Sequence, residues 1–207
     1  TLGSALPHLA AFLGGAEWRV VVGAAALASL LAAALAPCLA IGPDHAQALA
    51  FDPRAIRLLW TDRNIRAATG GYLGHMWELY ALWSWIGVIA ATSYGAHMPG
   101  PGAERLAALT AFASIALGAF FCVPAGWLAD RHGKARIAAG AMWLSGGAAL
   151  ATAAAFGGPV WLVMLLLLVW GAAIVPDSAQ FSALIADHAP PHLVGSLMGK
   201  KVFDRPT

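Results

Sequence analysis

Apolar residues run along this chain in long blocks separated by short polar breaks. Five blocks stand out, at about 20–41, 70–94, 106–128, 137–156 and 160–186. Each reaches the roughly 17–25 residues that a helix needs to cross a hydrocarbon core of about 30 Å. The pattern predicts an all-α polytopic transmembrane helical bundle with about five spanning helices. The last block is long enough to tilt or to extend past the bilayer. Residues 1–13 read as the end of a further helix, continuing upstream. Gly and Pro are frequent inside the blocks, as is normal for membrane helices.

The connectors differ in character. Residues 42–66 form one long polar link carrying Arg54, Arg57, Arg63 and Arg66. Residues 95–105 are a Gly/Pro turn ending at Arg105, 130–136 are short and basic, and 157–159 are a minimal turn. With five spans, the links after the first, third and fifth share one side. Lys200, Lys201 and Arg205 in the tail join Arg131, Lys134, Arg136 and the four link arginines there. That side therefore holds ten of the 12 Lys and Arg residues, against Arg19 and Arg105 on the other. Such an excess marks the cytoplasmic face.

Composition agrees. Hydrophobic residues make up 60% of the 207 and charged residues 11%, against about 45–50% and about 25% in soluble domains. Mean hydropathy is +0.71. Disorder needs the opposite balance. A net charge of +2, without a dense basic run, gives no nucleic-acid footprint. Cys38 and Cys122 both fall in apolar blocks and read as buried thiols, not as a disulfide or metal set. The chain starts at Thr1 with no charged n-region and no cleavage site, so a signal peptide is not expected and the sequence reads as part of a longer polypeptide.

The densest local signal is Gly126-Trp127-Leu128-Ala129-Asp130-Arg131-His132-Gly133-Lys134-Ala135-Arg136, between the third and fourth blocks. Gly126 is expected to permit close helix approach, Asp130 to cap a helix or pair with a base, and Gly133 to supply a turn. A generic basic hairpin is the alternative. Glu78 lies about eight residues into its block with His75 one turn earlier on the same face. An ionisable group inside a membrane helix must face a cavity or a partner, so Glu78 reads either as a solute or proton group or as a carboxylate paired with a loop arginine. Asp177 follows Pro176, where a kink is expected, and shares a face with Gln180. It reads either as a gating contact to the loop near Asp130 and Arg131 or as an interfacial acid. His188 and His192 are separated by two prolines that would break any metal-binding helix. No metal and no cofactor are expected. Trp77, Trp83, Trp85, Trp143 and Trp170 lie deep in their blocks and are expected to pack between helices, and small-residue stretches at Gly70-x-x-x-Gly74, Gly140 and Gly146 suit close packing.

The string at 126–136 resembles the cytoplasmic signature loop of the major facilitator superfamily, G-x-L-A-D-R-x-G-[RK]-x-[RK], at every fixed position. Other stretches are similar to that family too. Residues 3–8 resemble the end of its fifth helix. Gly74-His75-Met76-Trp77-Glu78-Leu79-Tyr80 resembles the seventh helix of permeases related to nitrate/nitrite and cyanate carriers. Residues 176–182 resemble the end of the tenth helix, and 191–196 the approach to the eleventh. The resemblance implies a partial major-facilitator fold. Residues 1–41 would end the first bundle, 42–69 would form the cytoplasmic linker, 70–198 would be part of the second bundle, and 199–207 would be a polar tail. It implies a fragment of a permease in the inner membrane, meeting the lipid bilayer, a small solute such as a small anion, and the missing remainder of the transporter. The loop residues Gly126, Leu128, Asp130, Arg131, Gly133, Lys134 and Arg136 would gate. His75, Glu78, Tyr80, Asp177 and Gln180 would contact solute or carry protons. Two alternatives stay open: a non-transporting five-span membrane subunit, and a membrane enzyme using Glu78 and His75 as acid and base.

Overall fold

The computed structural model describes residues 2–13, 17–38, 54–190 and 193. The described residues form α1 (Leu2–Phe12), α2 (Trp18–Leu35), α3 (Arg54–Thr61), α4 (Arg63–Gly95), α5 (Pro101–His132), α6 (Lys134–Ala154), α7 (Val160–Ile174) and α8 (Pro176–His188). A 3-10 turn at Ala36–Cys38 follows α2, and no strand occurs among the described residues. The polar tail from 199 and His192 lie outside them.

The expected helices are present with shifted ends, and capping accounts for the shifts. Asp62 accepts hydrogen bonds from the Asn64 and Ile65 amides at 2.8 and 3.0 Å, so α4 begins at Arg63 and not near residue 70. The expected link to residue 69 is therefore helical in its second half, through α3 and the first turns of α4. Pro101 opens α5 behind Gly100, where a missing amide costs nothing. Gly133, at φ 94°, both ends α5 and starts α6. The last apolar block is not one helix. Pro176 lacks the N–H that would continue α7, and the chain bends at Val175 before α8.

Among the described residues, three stretches are long and apolar enough to cross a bilayer: Pro101–His132, Lys134–Ala154 and Val160–His188. α4 has ample length at 33 residues, but polar and aromatic side chains dilute it. α2 is apolar but only 18 residues long.

The core lies where α4, α5 and α7 meet. Leu79, Leu82, Ile86, Ala90 and Tyr94 face Ala107, Ala111, Val163, Leu167 and Ile174. In lipid, helix association rests on close packing, since lipid tails are as apolar as leucine. α5 and α7 approach closely, backbone against backbone. A methyl group on Gly171 would sit 2.5 Å from the Ser114 carbonyl oxygen, and one on Gly118 would sit 2.6 Å from the Gly171 oxygen. Gly126, Gly70, Gly140 and Gly146, expected at close contacts, face open space instead. α6 packs on α7 and α8, and α1 packs on α5 with Ala5 fully buried. At the end away from Gly133, His97 Nε2 lies 2.9 Å from the Gly157 carbonyl, and the Gly157 amide donates to Ser93 Oγ. These bonds tie the α4–α5 loop to the α6–α7 loop.

The outer faces are apolar. Along α2, Val20, Leu27, Leu30, Leu31 and Leu35 are exposed, and α2 packs on no other described helix to a substantial extent. Trp77 and Trp143, expected to pack between helices, point outward at 82% and 84% exposure. Trp83 and Trp170 are the deep tryptophans that pack against the core. Cys38 is exposed and Cys122 half-buried, so only Cys122 fits the expectation of a covered thiol.

Candidate functional site

The loop at 126–136 sits where α5 turns into α6. Its glycine does the turning: φ at Gly133 is 94°, a region that strains any residue with a Cβ. No side chain caps α6, so Asp130 does not take the expected cap role and is exposed. Arg131 lies over the Trp127 ring at 3.7 Å, a cation–π contact that holds its guanidinium along α5. His132 Nδ1 donates to the Leu128 carbonyl at 3.2 Å. Lys134 reaches across to α8 and donates to Asp187 Oδ2 at 2.6 Å. A cavity of about 540 Å³ is lined here by Asp130, His132, Lys134, Arg136, Leu184 and Asp187 among others.

The loop thus does contact α8, but through Asp187 and not through Asp177. Asp177 lies at the other end of α8, 1% exposed, with Oδ1 2.8 Å from His75 Nδ1 on α4. The expectation that Asp177 reaches Asp130 and Arg131 is corrected on that ground. α8 has 13 residues, about three and a half turns, and its start lies deep in the bundle while its end meets the loop. Gln180 is buried on the same face as Asp177. The sequence did not single out Asp187, which lies beside His188, a residue read as unsuited to a metal because two prolines follow it. His188 Nδ1 instead donates to the Leu184 carbonyl. Among the described residues no group of three or more potential metal ligands occurs.

Glu78 lies near the middle of α4. It pairs with no arginine among the described residues. Trp170 Nε1 of α7 donates to Oε1 at 2.7 Å, and Ser145 Oγ of α6 donates to Oε2 at 3.2 Å. One carboxylate therefore gathers three helices through charge-assisted bonds. Glu78 also edges a groove of about 650 Å³ lined by Met142, Trp143, Gly146, Gly147 and Leu150. A second groove of about 400 Å³ shares Ala139 and Met142 with it and runs past Gly71 and Phe181 toward His188. His75 and Glu78 share a helix face but serve different partners, α8 for one and α6 with α7 for the other. They do not form the acid–base pair that a membrane enzyme would need. Tyr80 is exposed and stands edge-on to Trp83 at 5.8 Å, away from both clusters.

Trp170, Ser145 and Phe181 were not legible as site residues. Each contributes through a contact between helices distant in sequence, and no local spacing encodes it.

No curated protein and no solved structure matches the chain. A family model described as Major Facilitator Superfamily matches residues 1–200. That match covers nearly the whole sequence and agrees with an all-helical bundle having membrane-spanning stretches. Members of this family are transporters, and the chain belongs to the Major Facilitator Superfamily.

Proposed function

We propose that this chain forms part of a secondary transporter that moves a small polar solute, a small anion by preference, across the inner membrane by alternating access. The signature loop faces the cytoplasm in this reading, on the side carrying the lysine and arginine excess. One observation carries it: the loop is joined to α8 by Lys134 and Asp187, beyond the bend at Val175. A contact that can be made and broken across a bend is what a latch between two access states requires. The contact is partly exposed, so it is weak enough to break on each cycle.

Glu78, with Trp170 and Ser145, borders the groove and serves as the polar anchor of the moving helices. Tyr80 and Gln180 remain candidate solute contacts. Packing of α1 on α5 supports a contact surface between a first bundle, to which residues 1–41 belong, and a second bundle from α4 onward. The bare apolar length of α2 and the open α4–α6 groove fit the further helices that a complete carrier supplies.

The test is counterflow in proteoliposomes made with the full-length protein. Vesicles loaded with unlabelled nitrate, nitrite or cyanate are diluted into the labelled solute. Saturable accumulation of at least one of these anions is expected. Accumulation of none, with inorganic cations and neutral sugars equally inert, would overturn the reading.

A further inference from the structure

α3 has no part in the latch or the groove. It runs Arg54–Thr61, and the chain turns at Asp62, whose extended backbone (φ −92°, ψ 121°) separates it from α4. At about 100° per residue, Ile56, Leu59 and Trp60 fall on one side of α3, and Arg57 and Thr61 on the other. Leu58 and Leu59 are half-buried, yet Ile56 and Trp60 stay 50% and 74% exposed. α4 is the one described helix on which α3 packs to a substantial extent. An apolar strip beside a basic one is the pattern of a helix lying in the membrane interface, a level that tryptophan favours.

The charge around α3 is uncompensated. Residues 54–66 carry four arginines, Arg54, Arg57, Arg63 and Arg66, against one acid, Asp62. The Asp62 carboxylate is engaged by the Asn64 and Ile65 amides as the cap of α4. Among the described residues Arg57, Arg63 and Arg66 form no ion pair, and all three are exposed. Arg66 donates through Nη1 to the Trp60 carbonyl at 2.9 Å, which fixes the elbow between α3 and α4. Its other N–H groups stay open to a partner outside the chain. Arg63 and Arg66 also stand at the start of α4, the end of a helix dipole that favours anions. Helix stability does not account for arginines there, whereas an external anion does.

Length sets the level at which that anion lies. α4 has 33 residues, about 50 Å of helix at 1.5 Å per residue. A bilayer with its headgroups is about 40–45 Å thick. With the middle of α4 in the hydrocarbon, its ends reach the headgroups, and α3 lies one residue beyond.

We propose that α3 is an in-plane foot that binds the anionic phospholipid headgroups around the start of α4. Ile56 and Trp60 enter the boundary between headgroups and acyl chains. Arg57, Arg63 and Arg66 meet phosphate oxygens, which the guanidinium fork matches. The partner is the lipid surface and not a free anion, because the apolar strip accompanies the charge. A soluble phosphate would leave Ile56 and Trp60 in water. The inference concerns the bilayer and not the solute, so it stands apart from the transport reading.

The experiment reads membrane depth from a nitroxide on Ile56→Cys in the full-length protein, with Cys38 and Cys122 replaced by alanine. The protein is held in nanodiscs of phosphatidylcholine or of phosphatidylglycerol. Oxygen collects in lipid and a nickel chelate stays in water, so relaxation by each gives the depth. In phosphatidylglycerol the label is expected to be open to oxygen and shielded from nickel, and in phosphatidylcholine to be open to nickel. A label on Thr61→Cys, on the basic side, stays open to nickel in both. Arg57→Gln with Arg63→Gln lowers the ratio of seated to unseated label in phosphatidylglycerol, about fivefold for each arginine and about 25-fold for the pair. High salt unseats the label in the parent protein, which needs no arginine variant. Inorganic phosphate added to phosphatidylcholine nanodiscs leaves it in water. Four results would overturn the proposal: a label that behaves alike in the two lipids, one shielded from oxygen and nickel together by covering protein, one seated by phosphate in phosphatidylcholine, or one indifferent to both salt and the arginine variants. Anion counterflow beside a lipid-indifferent label retires the foot and leaves the transporter reading intact. A seated label in a protein without counterflow does the reverse.

Discussion

Replacing Gly171 by alanine tests the α5–α7 crossing. The added methyl group would lie 2.5 Å from the Ser114 carbonyl oxygen, 2.6 Å from its Cβ and 2.7 Å from its carbonyl carbon. Two of those atoms are backbone, so no rotamer change relieves the contact. The helices must part by about 1 Å to restore ordinary packing, and a gap of that size forfeits about a quarter to a half of each dispersion well along the seam. Overpacking of this kind costs about 1–3 kcal/mol. Against it stands the gain in helix propensity of alanine over glycine, about 0.8–1.0 kcal/mol. Gly146→Ala carries the same propensity gain but meets nothing within 4 Å. The difference between the two variants cancels that gain and isolates the clash, at about 1–3 kcal/mol, which is roughly 5- to 150-fold in the unfolding constant. Unfolding in mixed micelles of rising dodecyl sulfate fraction, followed by circular dichroism, reads it directly. Gly171→Ala should unfold at a clearly lower detergent fraction than Gly146→Ala. Coincident curves would refute the close crossing.

Further outcomes are expected elsewhere. Glu78→Ala strands the Trp170 donor, while Ser145 keeps the Met142 carbonyl as acceptor at 3.2 Å, and should lower stability by about 1–3 kcal/mol in the same assay, whereas Glu78→Gln, which keeps an acceptor, should lose less; equal losses would contradict the three-helix bridge. Lys134 and Asp187 are partly exposed, so their double-mutant coupling should be about 0.2–1 kcal/mol and shrink at high salt; coupling indifferent to salt would contradict the contact. Gly133→Ala faces open space but must adopt φ near 94°. Its cost of about 1–3 kcal/mol is therefore backbone strain, and no loss of stability would mean that the loop turns elsewhere.

The helical architecture was readable because lipid imposes it. Backbone groups in hydrocarbon must bond within their own segment, so runs such as 106–128 can only be helices. Their ends were less readable, because a cap such as Asp62 acts outside the apolar block that reveals the helix. Gly133 could be placed from local spacing alone, since its role is a backbone one. The partners of Asp177 could not. A helix of the length of α8 presents acids at both ends, and only packing against α4 and α6 decides that Asp177 meets His75 while Asp187 meets Lys134. Glycine spacing misled for the same reason. Gly70-x-x-x-Gly74 has the motif, yet Gly118 and Gly171 make the crossing, because a motif states that close approach is permitted and not where a neighbour lies.

The measurement that bears most directly on the account is anion counterflow with the latch reversibly fixed. Lys134→Cys and Asp187→Cys, in a background without Cys38 and Cys122, are bridged by a thiol-cleavable crosslinker in proteoliposomes. The account predicts counterflow before bridging, its loss when bridged, and its return after reduction. Full counterflow through a protein shown to be bridged would contradict the claim that α8 must leave the signature loop during transport.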